Sequence, residues 1–187
     1  MQPGREAVII APQRPSHARR PLPEPATPPE PTLALPDAAA TDAAGAALAR
    51  ALAPGDVVLL SGGLGAGKSA LARAAIAALL AAEGRIEDIP SPSFALVQVY
   101  RTEAAEIWHA DLHRLSGPEG CAELGLEDAF ESAVVFVEWP DRLGPLTPAR
   151  RLEIALDFDA GEGRVLRARG VGRGWEGALA ALAGSAA

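Results

Sequence analysis

The chain's only lysine ends a glycine-rich loop, and this combination of residue types indicates phosphate chemistry. Lys68 is the one lysine among 17 lysine and arginine residues, and it lies in the pattern Gly62-x-x-x-x-Gly67-Lys68-Ser69. Glycines let backbone N–H groups turn toward phosphate oxygens, the lysine adds a compact positive charge, and the serine hydroxyl is a Mg²⁺ ligand. The sequence predicts a phosphate cradle formed by Gly62, Gly63, Leu64, Gly65, Ala66, Gly67, Lys68, Ser69 and Ala70.

Two carboxylates that end apolar runs are candidates for the acids that such a loop needs. Hydrolysis or transfer requires acidic groups that hold Mg²⁺ and orient the attacking oxygen, and in open α/β sheets they lie at the carboxyl ends of strands. Asp111 and Glu138 fit this description. We predict Lys68, Asp111 and Glu138 as catalytic residues, and Ser69, Asp111 and Glu138 as metal ligands. The sequence leaves open which of the two acids holds the metal directly. For each acid, the alternative interpretation is an exposed residue at a strand end with no functional role.

Four further side chains have both a functional and a structural interpretation. His109 shares a strand face with Asp111, and we expect a hydrogen-bonded structural histidine, with a ligand or proton-shuttle role as the alternative. Arg114 is either a charge clamp on phosphate or a surface salt-bridge partner, and His113 could approach phosphate too. Trp139 is either a stacking surface for a base or partner, or a plain core residue.

The phosphate-loop pattern indicates a phosphate site only when a strand precedes it and a helix follows it. Residues 56–61 form a continuous apolar run, as expected for a buried parallel strand. Residues 69–83 are rich in good helix formers and end at Gly84, a natural helix cap. Because both conditions are met, we favour a phosphate site over a glycine-rich turn without a ligand.

The remaining patterns complete an α/β domain. We predict a P-loop NTPase-like fold: a mixed, mostly parallel sheet flanked by helices, with a C-terminal antiparallel hairpin. Further strands are predicted at residues 32–35, 94–100, 106–111, 133–139, 152–158 and 164–169, the last two forming the hairpin. Further helical segments are predicted from Asp37 or Thr41 to Leu52, within residues 117–130, and at residues 175–182.

Domain organisation follows from a change in composition near residue 31. Residues 1–31 are rich in proline and should form an extended or disordered tail, in which residues 7–10 are an isolated apolar patch or a short strand. We predict one phosphate-loop domain over residues 32–183 and a short tail over residues 184–187.

Composition and charge argue against several classes of protein. No apolar stretch approaches the roughly 20 residues of a membrane-spanning helix, so no membrane association is expected. The chain starts without a hydrophobic signal core, and Cys121 is its only cysteine, which together indicate the cytoplasm. The net charge of −7 argues against a broad basic surface for nucleic acid, although it allows action on a nucleic-acid enzyme through protein contacts. Nothing around Cys121 favours a nucleophilic role.

Five short blocks lie at residues 64–69, 91–94, 109–115, 124–128 and 137–140. Their sequences, order and spacing resemble the bacterial TsaE (YjeE) family, the small ATPase of tRNA threonylcarbamoyladenosine synthesis. The resemblance covers residues 33–175. The Ser-Pro-Ser-Phe, Asp-Leu-x-Arg-Leu and Val-Glu-Trp-Pro blocks are far more specific than the loop.

The resemblance implies ATP and Mg²⁺ as cofactors and a role in placing a threonylcarbamoyl group on adenosine 37 of tRNA. Family members support turnover of the TsaB and TsaD proteins, so contact with tRNA is implied only through that assembly. Lys68 and Ser69 match the family's phosphate-loop residues, Asp111 its metal-side aspartate, and the Glu138–Trp139 pair its glutamate and tryptophan near the nucleotide. Residues 91–94 match a switch-like loop beside the γ-phosphate.

Three positions depart from the residues usual in this family. Gly63 stands in place of an acidic or amide residue, Ala70 in place of a second hydroxyl, and His113 in place of a tyrosine. The missing hydroxyl would remove a hydrogen bond of about 1 kcal/mol net. We expect these changes to affect the rate of hydrolysis rather than the activity itself.

Two other functions would use the same loop. A small-molecule kinase is one, although the sequence has no clear arginine-rich lid. A nucleotide-dependent switch or binding module, in which hydrolysis is incidental, is the other. A GTPase is disfavoured, because its Asn-Lys-x-Asp element needs a lysine and Lys68 is committed to phosphate.

Overall fold

Seven strands form one sheet, and helices pack on both of its faces. The structure, a computed structural model, describes residues 30–185. The strands are β1 Thr32–Leu35, β2 Val57–Gly62, β3 Val97–Arg101, β4 Glu106–Asp111, β5 Val134–Glu138, β6 Arg151–Phe158 and β7 Arg164–Val171. The helices are α1 Ala38–Ala49, α2 Lys68–Ala81, α3 Pro118–Ala122, α4 Leu126–Ser132 and α5 Glu176–Gly184, with a 3₁₀ segment at Pro140–Leu146.

The centre of the sheet is parallel and its sides are antiparallel. The strand order is β1-β7-β6-β2-β5-β4-β3. Strands β6, β2, β5 and β4 are parallel neighbours, whereas β3 pairs antiparallel with β4, and β7 pairs antiparallel with both β6 and β1. Strands β6 and β7 are the predicted C-terminal hairpin. The predicted fold class, a mixed and mostly parallel sheet flanked by helices, is confirmed.

Strand β2 is apolar and buried over its first four residues because it separates two hydrophobic cores. Val58 and Leu60 face a core that includes side chains of α1, α2 and α5. Val57 and Leu59 face a second core, which includes side chains of α3, α4 and the 3₁₀ segment. All four side chains are buried, so burial from both sides explains the continuous apolar run.

The register of the parallel strands brings the two predicted acids together. Asp111 in β4 pairs with Glu138 in β5, and Glu138 pairs with Leu60 in β2. Strand β2 then runs into the glycine-rich loop, and α2 begins at Lys68. The phosphate loop and both acids therefore lie at the same carboxyl edge of the sheet.

The predicted strand at residues 94–100 is wrong over its first three residues. Residues 92–95 form a turn instead, in which the Leu96 N–H donates to the Pro92 carbonyl at 2.7 Å. Leu96 takes a left-handed backbone conformation, at φ +66°, which ends the turn. Strand β3 therefore begins only at Val97, and Phe94 lies on a loop.

The first helix begins at one of its two predicted caps and ends earlier than predicted. The Asp37 carboxylate accepts a hydrogen bond from the Ala40 N–H at 2.8 Å, so Asp37 rather than Thr41 is the cap. Helix α1 ends at Ala49, not at Leu52.

Several predictions concern residues outside the described range. The proline-rich segment up to residue 29, its apolar patch at residues 7–10, and residues 186–187 are outside it. The domain boundaries at residues 32 and 183 stay a prediction. Between residues 30 and 185, the helices are too short or too polar to cross a lipid bilayer.

Truncation of Phe136 tests how much the core beneath α2 contributes to the stability of the protein. Phe136 is fully buried in β5, so Phe136→Ala should lower the free energy of unfolding by about 3–5 kcal/mol, through lost apolar burial and a residual cavity. Ile86→Ala is the control, because Ile86 is 96% exposed and its truncation should change stability by less than about 0.5 kcal/mol. Denaturant unfolding measures both, and equal losses would contradict the assigned core.

Candidate functional site

The glycine-rich loop adopts backbone conformations that other residues rarely reach. Gly62, Gly65 and Gly67 have φ values of +137°, +76° and +105°, and Gly67 is the residue that precedes α2. Gly63 does not use this freedom. Ala66 is fully buried. Such a turn, leading into a helix N-terminus, is the arrangement that binds phosphate oxygens through N–H groups.

Gly62 is required by close packing as well as by its backbone angles. A Cβ at this position would overlap the carbonyl oxygen of Leu156 in the neighbouring strand β6. Gly62 also pairs with Leu156 in the sheet register. The first glycine of the loop is therefore fixed by the strand beside it.

The Lys68 ammonium group is held by the loop that precedes it. Its Nζ donates to the Gly62 carbonyl at 2.9 Å and to the Gly63 carbonyl at 2.8 Å. It also lies 4.2 Å from the centre of the Trp139 ring, a cation–π contact. Burial lowers the pKa of Lys68 below its ordinary value, and the carboxylates of Glu138 and Asp111 partly oppose that effect.

Trp139 follows β5 in a strained conformation that turns its ring toward the lysine. Its φ of +59° and ψ of +53° are left-handed, which is uncommon for a bulky residue. The His113 ring packs against it, with 4.6 Å between ring centroids. Trp139 is half-buried, because it packs against the second core and also lines the cavity described below.

Glu138 is a buried carboxylate with a hydrogen bond on each oxygen. Only 2% of the residue is exposed. The Ser69 hydroxyl donates to Oε2 at 2.9 Å, and His109 Nε2 lies 2.9 Å from Oε1. The N-terminus of α2 and strand β4 are thus both tied to the end of β5.

Asp111 is likewise bonded on both oxygens, and one partner lies on the switch-like loop. The Ser93 hydroxyl donates to Oδ2 at 2.6 Å, and the His113 N–H donates to Oδ1 at 3.0 Å. Ser91 and Ser93 are hydrogen-bonded through their hydroxyls at 2.9 Å. The loop at residues 91–94 is therefore hydrogen-bonded to a predicted metal ligand.

These groups face one cavity of about 420 Å³. Arg73 and Arg114 add positive charge to its lining, and the Arg114 guanidinium donates to the Phe94 carbonyl at 2.6 Å. Phe94 is 89% exposed, which places a large apolar ring at this loop. The lining residues are Leu64, Gly65, Gly67, Lys68, Ser69, Ala70, Arg73, Ser93, Phe94, Asp111, His113, Arg114, Glu138 and Trp139.

A second cavity, of about 190 Å³, adjoins the loop and shares Gly65, Gly67 and Ala70 with the first. Arg164 from β7 lines it, donates to the Gly65 carbonyl at 3.3 Å, and stacks 4.4 Å from the centre of the Phe158 ring. These two side chains are about a hundred residues from the loop in sequence, and no local pattern pointed to them.

The donor atoms at the cavity suit a phosphate-bound Mg²⁺ ion. Ser69, Asp111 and Glu138 offer only oxygen ligands, which this hard cation prefers. Within residues 30–185 there is no cluster of three or more His, Cys, Asp or Glu side chains that would hold a metal by itself. Mg²⁺ is usually bound by one or two carboxylates together with substrate phosphates and water, and Asp111 and Glu138 could supply the carboxylates.

Most of the predicted site residues come together, and three do not reach the cavity. Lys68, Ser69, Ala70, Asp111, Glu138 and Trp139 line it, together with Leu64, Gly65 and Gly67. Gly62, Gly63 and Ala66 lie behind that lining. Cys121 is buried away from it, and burial raises the pKa of its thiol, which does not favour a nucleophile. Sequence reasoning missed Arg73, although it follows Ser69 by one helical turn.

Comparison with known proteins gives a consistent result. A family model described as "Threonylcarbamoyl adenosine biosynthesis protein TsaE" matches residues 35–166. Two similar proteins, from Rickettsia felis and Rickettsia bellii, are each named tRNA threonylcarbamoyladenosine biosynthesis protein TsaE and are 39% identical over 110 residues. Each match covers 59% of this chain, and the matches span 63% and 74% of those two proteins. A Mycobacterium bovis protein of the same name is 36% identical over 135 residues, which is 67% of this chain and 78% of that protein.

A solved structure has the same fold. The crystal structure of Bacillus subtilus YdiB superposes with a TM-score of 0.67 at 25% sequence identity. The superposition covers 82% of this chain and 94% of that one.

Gly62→Ala should disrupt the loop. The added methyl group would overlap the Leu156 carbonyl and take an unfavourable φ, costing at least about 1–3 kcal/mol of strain and displacing the loop N–H groups. Gly177→Ala is the control, because a Cβ there meets open space in α5 and should be neutral or stabilising by up to about 1 kcal/mol. Denaturant unfolding and binding of a fluorescent nucleotide measure the two effects. Unchanged binding by the Gly62 variant would show that this loop is not the cradle.

Proposed function

The chain belongs to the TsaE family, and from this premise we propose that it is a Mg²⁺-dependent ATPase that serves threonylcarbamoylation of adenosine 37 in tRNA. The observation that carries the proposal is the convergence of Lys68, Ser69, Asp111 and Glu138 on one cavity at the carboxyl edge of the sheet. A lysine, a hydroxyl and two carboxylates are the groups that phosphoryl transfer from a nucleotide requires.

The phosphates of ATP would bind at the loop and draw Lys68 from its present partners. Its ammonium group, now bonded to the Gly62 and Gly63 carbonyls, would pair with the β- and γ-phosphates. The N–H groups at the start of α2 and the partial positive charge of that helix end would hold the same oxygens. Arg114 and Arg73 are placed to offset further phosphate charge.

Ser69 and the two carboxylates would hold the metal and the attacking water. Mg²⁺, when bound, neutralises phosphate charge and orients the terminal phosphate. Ser69 Oγ and Asp111 are the nearest match to its usual ligands, directly or through water, while Glu138 orients the attacking water or completes the metal site. Asp111 would exchange its hydrogen bond with Ser93 for a bond to the metal or to water. Glu138 would likewise exchange its hydrogen bond with Ser69.

The adenine end of the nucleotide would occupy the smaller cavity. It shares the lining residues Gly65, Gly67 and Ala70 with the phosphate site. The Arg164 guanidinium, which stacks on Phe158, gives this cavity a planar cationic wall suited to a base. The role of the β6–β7 hairpin would then be to complete the nucleotide site.

The family premise also implies partners and location. We propose that the protein acts in the cytoplasm with TsaB and TsaD and meets tRNA only through their assembly. The net charge of −7 supports contact through protein rather than through direct nucleic-acid binding. One domain over residues 32–183 would carry the ATPase, with residues 1–31 and 184–187 outside it.

A nucleotide-dependent switch is the second candidate, and one observation favours it. Ser93 ties the exposed Phe94 loop to Asp111, so a change at the metal ligand would be transmitted to an apolar surface residue. In that case binding of ATP, not hydrolysis, would control a partner. A small-molecule kinase has no comparable support among the described residues.

A reconstituted turnover assay tests the proposal. Purified protein with TsaB, TsaD, tRNA, threonylcarbamoyl-adenylate and ATP should give multiple turnovers of modified tRNA. Lys68→Ala should abolish this turnover, because it removes the cation that pairs with the phosphates. Glu138→Gln should lower ATP hydrolysis by roughly 100-fold or more, because it removes the carboxylate that orients the attacking water or completes the metal site. Glu127→Gln, on the exposed face of α4, is the matched control and should behave as wild type.

Two outcomes would separate the alternatives. If omitting the protein left turnover unchanged, the proposed role would be wrong. If Glu138→Gln lost hydrolysis but kept full turnover with bound ATP, the protein would be a switch in which hydrolysis is incidental.

A further inference from the structure

His109 has an arrangement that the proposed hydrolysis does not by itself explain. The residue is 0% exposed and does not line the cavity. Its Nε2 lies 2.9 Å from Glu138 Oε1, while its Nδ1 has no hydrogen-bond partner among residues 30–185. A buried polar ring with a single polar contact, made to a catalytic carboxylate, points to a role that runs through that carboxylate.

The unequal surroundings of the two ring nitrogens determine the tautomer. A hydrogen on Nδ1 would be buried without an acceptor, and Nε2 would then direct a lone pair at a carboxylate oxygen. A hydrogen on Nε2 avoids both costs, because it is donated to Glu138 and leaves only a bare ring nitrogen without a partner. The Nε2–H tautomer is therefore the one that this environment selects.

Because of this hydrogen bond, the two Glu138 oxygens have different partners. Oε1 is bound from inside the sheet by His109, and Oε2 is left for Ser69 at the cavity. Without His109 the carboxylate would be attached through Oε2 alone, and it could rotate about its last side-chain torsion. Oε1 would also lose its donor in a residue that is only 2% exposed, which is costly for a charged group.

We propose that His109 is a positioning residue whose Nε2–H fixes the Glu138 carboxylate, so that Oε2 points at Ser69 and at the metal and water positions beside it. The proposal rests on the ATPase function proposed above. It replaces two earlier interpretations of His109. Nε2 is already committed to Glu138, so it is not a metal ligand, and the ring does not reach the cavity, so it is not a proton shuttle to the substrate.

A pair of substitutions with the same side-chain length isolates the hydrogen bond. His109→Gln keeps an N–H donor that can reach Glu138, whereas His109→Met fills similar space without one. The Met variant should lose roughly 10–100-fold in kcat, the usual cost of removing a group that orients a catalytic ligand, with a nucleotide dissociation constant close to that of wild type. The Gln variant should recover most of that loss.

Stability is measured in parallel, because a structural role predicts a different pattern. Equal kcat losses in both variants that follow their losses in unfolding free energy would overturn the proposal, as would a Met variant with wild-type kcat. A rise in KM without a fall in kcat would also contradict it, since positioning of Glu138 affects the reaction rather than the binding of ATP.

A readout without catalysis separates this proposal from the ATPase function. In ¹⁵N-histidine-labelled protein without nucleotide, the His109 signals, assigned by their loss in the Gln variant, should show the Nε2–H tautomer. An Nδ1–H tautomer would overturn the positioning role even if ATP is hydrolysed. Absence of hydrolysis by wild type, with the Nε2–H tautomer present, would refute the ATPase function and leave the His109–Glu138 bond established.

Discussion

The structure depends on the compensation of three charges buried at one edge of the sheet. Lys68, Asp111 and Glu138 are each at most 5% exposed, and an uncompensated buried charge costs several kcal/mol. The protein meets that cost with internal contacts. Backbone carbonyls and a tryptophan ring hold the ammonium, while serine hydroxyls, a histidine and a backbone N–H hold the carboxylates. In the proposed complex, a phosphate and its metal would replace several of these partners.

The sheet explains why this cluster can exist. Parallel pairing of β4, β5 and β2 brings Asp111, Glu138 and the start of the loop into line, and apolar packing on both faces keeps water from the strands. The backbone ends β5 with a left-handed Trp139, which turns the ring back over Lys68. The candidate site residues Lys68, Asp111 and Glu138, which come from one helix and two strands, thus depend on the register of the sheet. Strain at Gly62 and Trp139 is confined to the positions where the chain leaves the sheet.

The sequence predicted the parts of the site that follow from local patterns. An apolar run that ends in a carboxylate identified Asp111 and Glu138, because buried parallel strands are apolar throughout and their ends carry function. The loop glycines and Lys68 were likewise identified from a local sequence pattern. Pairings between distant segments could not be predicted, since a contact such as Ser93 with Asp111 or Arg164 with Gly65 depends on register and on loop path. The turn at Leu96 was missed for a related reason: residues 94–100 have strand composition, but the hydrogen bond to Pro92 closes a turn first. The family resemblance, confirmed by the match over residues 35–166, supplied what no pattern could, the link to threonylcarbamoyl adenosine biosynthesis.

The most direct test of the central claim uses the fact that Lys68 is the only lysine. Protein labelled with ¹³C,¹⁵N-lysine reports the ammonium group without overlap, and its pKa is measured by pH titration with and without Mg²⁺ and a non-hydrolysable ATP analogue. Burial should place the pKa below 10.5 in the free protein, and nucleotide should raise it, because phosphate charge favours the protonated amine. At pH values between the two pKa values, nucleotide binding would therefore take up a proton and weaken as pH rises. A pKa at its ordinary value that does not move with nucleotide would contradict the account, because Lys68 would then be neither buried in the free protein nor paired with phosphate in the complex.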